Sequence, residues 1–431
     1  MMSQGPNPEP EGWSGARRAA RLARRLWAAG VAAADARAAV CRALRAEPLP
    51  PGPLAVIAVG KAACAMAAGA REALGPRWPG ALVVSAPGYC DGAPPGGRLL
   101  QAGHPLPDEG SLAAGEAVAA AVAAVPPEGT VLFLVSGGAS AMLELPPPGH
   151  GLDDLARLNR WLLASGLGIG AVNAVRRAVS ALKGGRLARR LRARAVVLAV
   201  SDVPGDDPAV IGSGPLAPPP PAAGLPEGLP AWVRSMAAAA PPPPPPDDPV
   251  FARIRHRVVA SNATARAGVL AAAKDAGLAG TDHGLLDGEA ADAGRRLGRW
   301  LAEAAPPGVH VWGGETPVRL PAHPGRGGRC RQLALAAALA LAGRVGVALA
   351  AGGTDGRDGT GEAAGGVVDG TTAARAREGG CEPEAALADA DAGACLEAAG
   401  AALPARATGT NVMDLVVGVR LPNGAAGAEA P

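Results

Sequence analysis

Unbroken apolar runs punctuate the first half of the chain. Residues 54–59 (LAVIAV), 131–135 (VLFLV) and 195–200 (AVVLAV) contain no polar alternation. Such runs predict strands buried on both faces of a parallel sheet, and 81–85 and 99–102 predict two shorter ones. Between them the apolar spacing changes to the helical period. Residues 17–44, with Leu22, Leu26 and Val31 on one face, predict a helix or helix pair. Further helices are predicted over 62–74, from Ser111 onward, and over 152–164 and 171–183. The second half repeats the alternation, with strands at 258–260, 282–286, 310–312, 345–350 and 415–419. Its helices are predicted at 263–276, 288–302 and from Gln332. Strand–helix alternation of this kind defines an α/β protein, here with two lobes each built on a mononucleotide-type sheet.

Two stretches interrupt the pattern. Residues 1–13 are polar and rich in Pro and Gly, which predicts a disordered tail. Residues 217–249 include Pro218–Pro221 and the run Pro241–Pro246, which fit neither a helix interior nor a central strand. They predict a semi-rigid connector flanking a short helix near Trp232, and divide the chain into domains at 14–216 and 250–431.

Composition narrows the chemistry. Apolar residues make up 48% but aromatics only 2%, so the cores are small-residue aliphatic packing. The net charge of +3 and the lack of a basic cluster interleaved with aromatics argue against nucleic acid. Every apolar run meets a charge or proline before 18 residues, so no membrane span is expected. Residues 17–44 are acid-poor at first, which admits a transit peptide, but Asp35 and the apolar spacing favour an ordinary first helix. Six cysteines without CxxC pairs read as reduced cytoplasmic thiols. Of 41 basic residues only Lys61, Lys183 and Lys274 are lysines. Lys61 and Lys183 adjoin glycines, where a compact ammonium suits a close ligand.

The polar residues that carry chemistry cluster where strands end. VLFLV runs into Ser136-Gly137-Gly138-Ala139-Ser140, whose glycines let backbone N–H groups approach an anion at a helix start. Gly60-Lys61 follows the first strand, yet neither GxxxxGK[ST] nor GxGxxG is present. His104 lies in the rigid loop 103–109, where a structural role is the commoner one. Asp202, Asp206 and Asp207 crowd the end of the 195–200 strand, an arrangement that suits a magnesium ion or N-capping. Glu315 follows Gly313-Gly314, Arg329 closes a Gly/Arg loop, and Asp355, Asp358 and Glu362 are held among glycines after the 345–350 strand. That last loop lacks EF-hand ligand spacing, so calcium is not expected. Asn411 sits in the polar turn 408–414.

Taken in order, VGKAACAMA, GHPLPDEGS, LVSGGASAML, SALKGGRLA, SDVPGDDPAVIGSGP, GGETPV, GRGGR, GGTDGRDGTGEAAGG and TGTNVMDL resemble the blocks of the class II glycerate kinases (glycerate 2-kinases), some of which are called hydroxypyruvate reductases. The blocks span Val59 to Leu415. The resemblance implies an N-terminal Rossmann-like three-layer domain and a smaller C-terminal α/β domain with the active site in the interdomain cleft. It also implies a cytoplasmic enzyme that uses ATP and Mg2+ to convert D-glycerate into 2-phosphoglycerate, with a homodimer left open. Carried onto this chain, Lys61, Asp202 and Arg329 are the catalytic residues, with Asp202 the magnesium ligand or base. Ser136, Gly137, Gly138, Ser140, Lys183, Asp206, Glu315, Asp355, Asp358 and Asn411 bind substrate or nucleotide. The reading requires Lys61, Asp202 and Arg329 to surround one small anion. Departures are Cys330-Arg331-Gln332 where the family has Asn-Gln-Glu, Ala139 for a third loop glycine, Ala390-Asp391-Ala392 for Asn-Asp-Ser, and a short Pro-filled linker. The competing readings are an NAD-dependent hydroxypyruvate reductase and a ligand-binding relative with weakened catalysis.

Overall fold

The computed structural model describes residues 13–220, 224–359 and 361–422. The tail expected over 1–13 lies outside these residues, apart from Trp13, which opens the first helix. The chain forms two units. One comprises 35–261 with the short return segment 409–412; the other comprises the remaining described residues before 35, 262–408 and those after 412.

The first unit holds β1 (Leu54–Val59), β2 (Leu82–Ser85), β3 (Arg98–Gln101), β4 (Thr130–Ser136), β5 (Arg194–Val200) and β6 (Ile254–Ala260). They pair in the order β3-β2-β1-β4-β5-β6, every neighbour parallel. This is the doubly wound order, in which the direction of winding reverses between β1 and β4 and opens a crevice at the strands' C-terminal ends. All seven residues of β4 are buried, as its unbroken apolar run requires. Its alternate residues Val131, Phe133 and Val135 pack with Val118 and Val122 of helix Glu109–Ala124. Helices Ala36–Ala46 and Ala63–Leu74 pack together, and Gly69 lets them approach, since a Cβ there would run into the Arg37 backbone.

The Pro-rich stretch is part of this unit and not a boundary. Helix Ala231–Ala239 places Val233 and Met236 against Leu155, Leu158, Leu162, Val175 and Val179. Prolines exclude a ladder but not burial, so the chain crosses the unit and adds β6 to the sheet's edge. The predicted helix 171–183 ends at Ala178, because the Ser180 hydroxyl takes the N–H groups of Leu182 and Lys183 that would have continued it.

The second unit holds β7 (Gly280–Leu285), β8 (Gly308–Gly314), β9 (Val347–Gly353), β10 (Ala363–Asp369), β11 (Ala402–Pro404) and β12 (Asp414–Arg420), in the order β11-β10-β9-β12-β8-β7. Only β7 and β8 are parallel; the other pairs are antiparallel. The expectation of a second mononucleotide-type sheet is therefore corrected. Glycine explains the miss: β10 contains Gly365-Gly366, which reads as a turn in the sequence but here hydrogen-bonds antiparallel to β9. Helices Ala290–Glu303 and Arg329–Leu341 pack closely through Gly294 and Gly298. The first helix, Trp13–Ala33, belongs to this unit, its Trp27 indole donating to the Gly352 carbonyl at 3.4 Å.

The structure also brings four of the cysteines together in space. Cys64 lies beside Cys90 and Cys381 beside Cys395, with Cα atoms 5.8 and 5.3 Å apart, within the span of a disulfide, while Cys41 and Cys330 are buried thiols. Their separations of 26 and 14 residues gave no motif. Among the described residues no helix is long and apolar enough to cross a membrane.

Candidate functional site

At the β1/β4 crevice two glycine turns interlock. Gly60 has φ +122°, and a Cβ there would collide with the Ser136 hydroxyl and carbonyl. The Lys61 N–H donates to the Gly137 carbonyl at 2.9 Å, and its ammonium lies 5.3 Å from the centre of the Tyr89 ring. Lys61 thus stands on the first turn after a buried strand, with its backbone fixed and its side chain steered by an aromatic face. Ser136 is turned inward: its Oγ accepts from the Ala62 N–H at 3.0 Å, and the residue is fully buried. This hydroxyl ties the two turns together from within the protein.

Gly137 has no room for any side chain, because a Cβ would meet the Asp202 carboxylate and the Asn411 amide. Those two are joined, the Asn411 Nδ2 donating to Asp202 Oδ2 at 2.9 Å. The return segment 409–412 therefore delivers an amide that orients the carboxylate beside the loop. Gly138, at φ +84°, opens the short helix Ala139–Met142, and Ser140 Oγ lies 2.6 Å from Ser213 Oγ. Asp206 is held with φ +54° in the turn after Asp202, its N–H bonded to the Val203 carbonyl at 3.1 Å. Lys183 is buried and ion-paired with Glu144, so its charge is already met within the protein.

In the second unit the polar end gathers around Arg329, the first residue of helix Arg329–Leu341. Its guanidinium donates to both Asp414 oxygens, Nη2 to Oδ1 at 3.1 Å, and to Glu315. Nη1 makes no hydrogen bond to the described residues. Burial pushes the Asp414 carboxyl up to about 6, although Arg329 pulls it down, and the two carboxylates hold the guanidinium firmly protonated. Asp414, which lies within TGTNVMDL but drew no role from the sequence, is the group that aims Arg329. Asp358, expected to bind a ligand, is buried and structural. It accepts from the N–H groups of Cys330 (3.0 Å) and Arg331 (2.9 Å) and from Arg331 Nε (3.2 Å). The departure at Arg331 is thus absorbed by a buried ion pair, and Gln332 Nε2 donates to the Leu387 carbonyl at 2.7 Å. Asp355 closes its own turn, accepting from the Arg357 N–H at 3.0 Å.

Of the predicted residues, then, Lys61, Gly137, Gly138, Asp202 and Asn411 come together in the first unit, and Glu315 and Arg329 in the second. The doubly wound order, with a lysine and an oriented carboxylate at its switch point, defines an α/β protein whose polar residues gather at the strands' C-terminal edge. Two family models match: a domain of unknown function (DUF4147) over residues 22–224 and the MOFRL family over 308–414. The chain is 36% identical over 398 residues to the D-glycerate 2-kinase of Thermotoga maritima, covering 84% of this chain and 90% of that protein. It is 32% identical over 395 residues to the glycerate 2-kinase of Pyrococcus horikoshii, covering 85% and 87%. The crystal structure of glycerate kinase from Thermotoga maritima matches with a TM-score of 0.84 at 33% identity, covering 94% of this chain and all of that one. The chain belongs to the glycerate 2-kinase family.

Proposed function

We propose that the protein is a kinase that uses ATP and magnesium to phosphorylate D-glycerate to 2-phosphoglycerate. The observation that carries this is the Gly137 notch, where loop backbone, Asp202 and Asn411 meet one turn from Lys61. Phosphoryl transfer asks a protein chiefly for positioning and charge neutralisation, and these residues supply both. In this reading the Lys61 ammonium neutralises charge on the transferring group, and backbone N–H groups around Gly137 and Gly138 hold its oxygens. Asp202, its Oδ2 fixed by Asn411, is the magnesium ligand or takes the hydroxyl proton, with Asp206 behind it. Magnesium is ordinarily bound by one or two carboxylates together with substrate phosphates, which this donor set fits. When bound, it would neutralise phosphate charge. Arg329, aimed by Asp414 and Glu315, is the charge clamp of this reading, with Nη1 left to meet a phosphate oxygen.

The position at the end of β2 where a dinucleotide-binding sheet carries a ribose-binding acid is Ser85, which speaks against hydride transfer. The test is ADP release with D-glycerate and magnesium, with phosphorus NMR assigning the product. Lys61→Ala and Arg329→Ala should each lower kcat by about 10²–10³-fold, the loss seen when one preorganised charge donor is removed, with unchanged circular dichroism. Near-normal turnover in both variants would overturn the assignment.

A further inference from the structure

Beside the Ser136–Ser140 loop lies a cavity of about 230 Å3 entirely within the first unit, with Ser140, Asn159, Arg176 and Lys183 among its polar residues and Leu158 and Val179 among its walls. Its charges do not balance. Lys183 and Glu144 are buried together, and Glu144 also accepts from Ser180 Oγ at 2.7 Å and from the Leu145 N–H at 3.1 Å. That pair is neutral and satisfied. Arg176 is different. Its Nη2 donates at 3.1 Å to the Asn159 carbonyl oxygen, a neutral acceptor whose own Nδ2 is spent on the Leu155 carbonyl at 3.0 Å. No carboxylate of the described residues lies within ion-pair distance of this guanidinium. Burial lowers its pKa, yet arginine stays charged at neutral pH. Glu144 is the carboxylate whose charge reaches Arg176, but it is already paired with Lys183, so the cavity carries one positive charge in excess, whose half-burial costs free energy that an anionic ligand would relieve.

We propose that this cavity is the carboxylate subsite of the acceptor, with Arg176 gripping the carboxylate of a short hydroxy acid and Asn159 fixing the guanidinium. One net positive charge matches a monoanion better than a triphosphate, and the planar fork of arginine matches a carboxylate's two oxygens. The cavity has room for a three-carbon acid, with Leu158 and Val179 among its apolar walls. Naming the acid as glycerate rests on the kinase reading; the carboxylate subsite does not.

The experiment is calorimetric titration of the whole protein with D-glycerate alone and with ATP alone, alongside the KM of each. Arg176→Gln should weaken D-glycerate binding and raise its KM by about 30–100-fold, as for loss of one desolvated charge contact, while ATP binding stays within about twofold. Asn159→Asp, which sets a carboxylate against Arg176, should do the same and serves if Arg176→Gln fails to fold. Unchanged glycerate affinity in a folded variant, or loss of ATP affinity instead, would overturn the subsite. Arg176-dependent glycerate binding without turnover would overturn the kinase reading and leave the subsite standing. Normal turnover with an unchanged glycerate KM in both variants would do the reverse.

Discussion

At the scale of single residues, several charges expected to meet ligands are committed to one another. Asp358 neutralises Arg331 and Glu144 neutralises Lys183. Breaking such a buried pair leaves a bare charge, so Lys183→Met alone should destabilise by about 3–5 kcal/mol. Adding Glu144→Leu should restore most of that, measured by urea unfolding of the single and double variants. Asp414 gives a pH prediction. Its carboxyl is raised from 3.8 to about 6, so the folded chain holds this proton more tightly than the unfolded one. The stability it contributes is complete below the unfolded value and is lost as pH rises through about 6. Asp414→Asn should remove that slope, on the order of 3 kcal/mol across the window. Equal slopes in both proteins would refute it. Partnerships of this kind were beyond the sequence, since Asp358 and Arg331 look alike whether they face each other or a ligand. The positions of Lys61 and Asp202 at strand ends were readable because each comes two residues after a long buried strand.

At the scale of elements, what a residue run shows depends on its length and on glycine. The runs that became β1, β4 and β5 were plain, because a strand buried on both faces has no polar positions to blur it. The run that became β10 was hidden by Gly365-Gly366, and the short β11 by its three-residue length. Helix Leu152–Ala164 matches its predicted bounds, while the next was overdrawn by five residues because its end is set by Ser180 binding Glu144, a partner far along the chain. Gly137 shows how tightly the elements meet. Gly137→Ala should cost about 1–3 kcal/mol, the usual penalty for overpacking, and should abolish turnover more completely than that loss explains. Thermal unfolding and a kinase assay on the same preparation check this, and an alanine variant with normal turnover would show that the notch is not part of the site.

At the scale of the whole molecule, the division into units does not follow the composition break. The first unit needs helix Ala231–Ala239 and β6, both beyond residue 216. A fragment of residues 35–261 should therefore unfold cooperatively in urea with a native near-ultraviolet spectrum. One of residues 14–216 should bind ANS, having lost the cover over Leu158 and Val179 and the partner of β5. A cooperative 14–216 fragment would restore the connector reading. The break misled because proline content reports what a segment cannot pair with, not what it can cover.

Asp202 and the amide that orients it are 209 positions apart. On the ribosome the doubly wound sheet has all its strands once residue 260 has emerged, yet Asp202 waits for Asn411, which is made near the close of translation. A nascent chain that ends between residues 261 and 410 would thus carry every strand of the first sheet while Asp202 lacks the amide that orients it, and its second sheet would still lack β12.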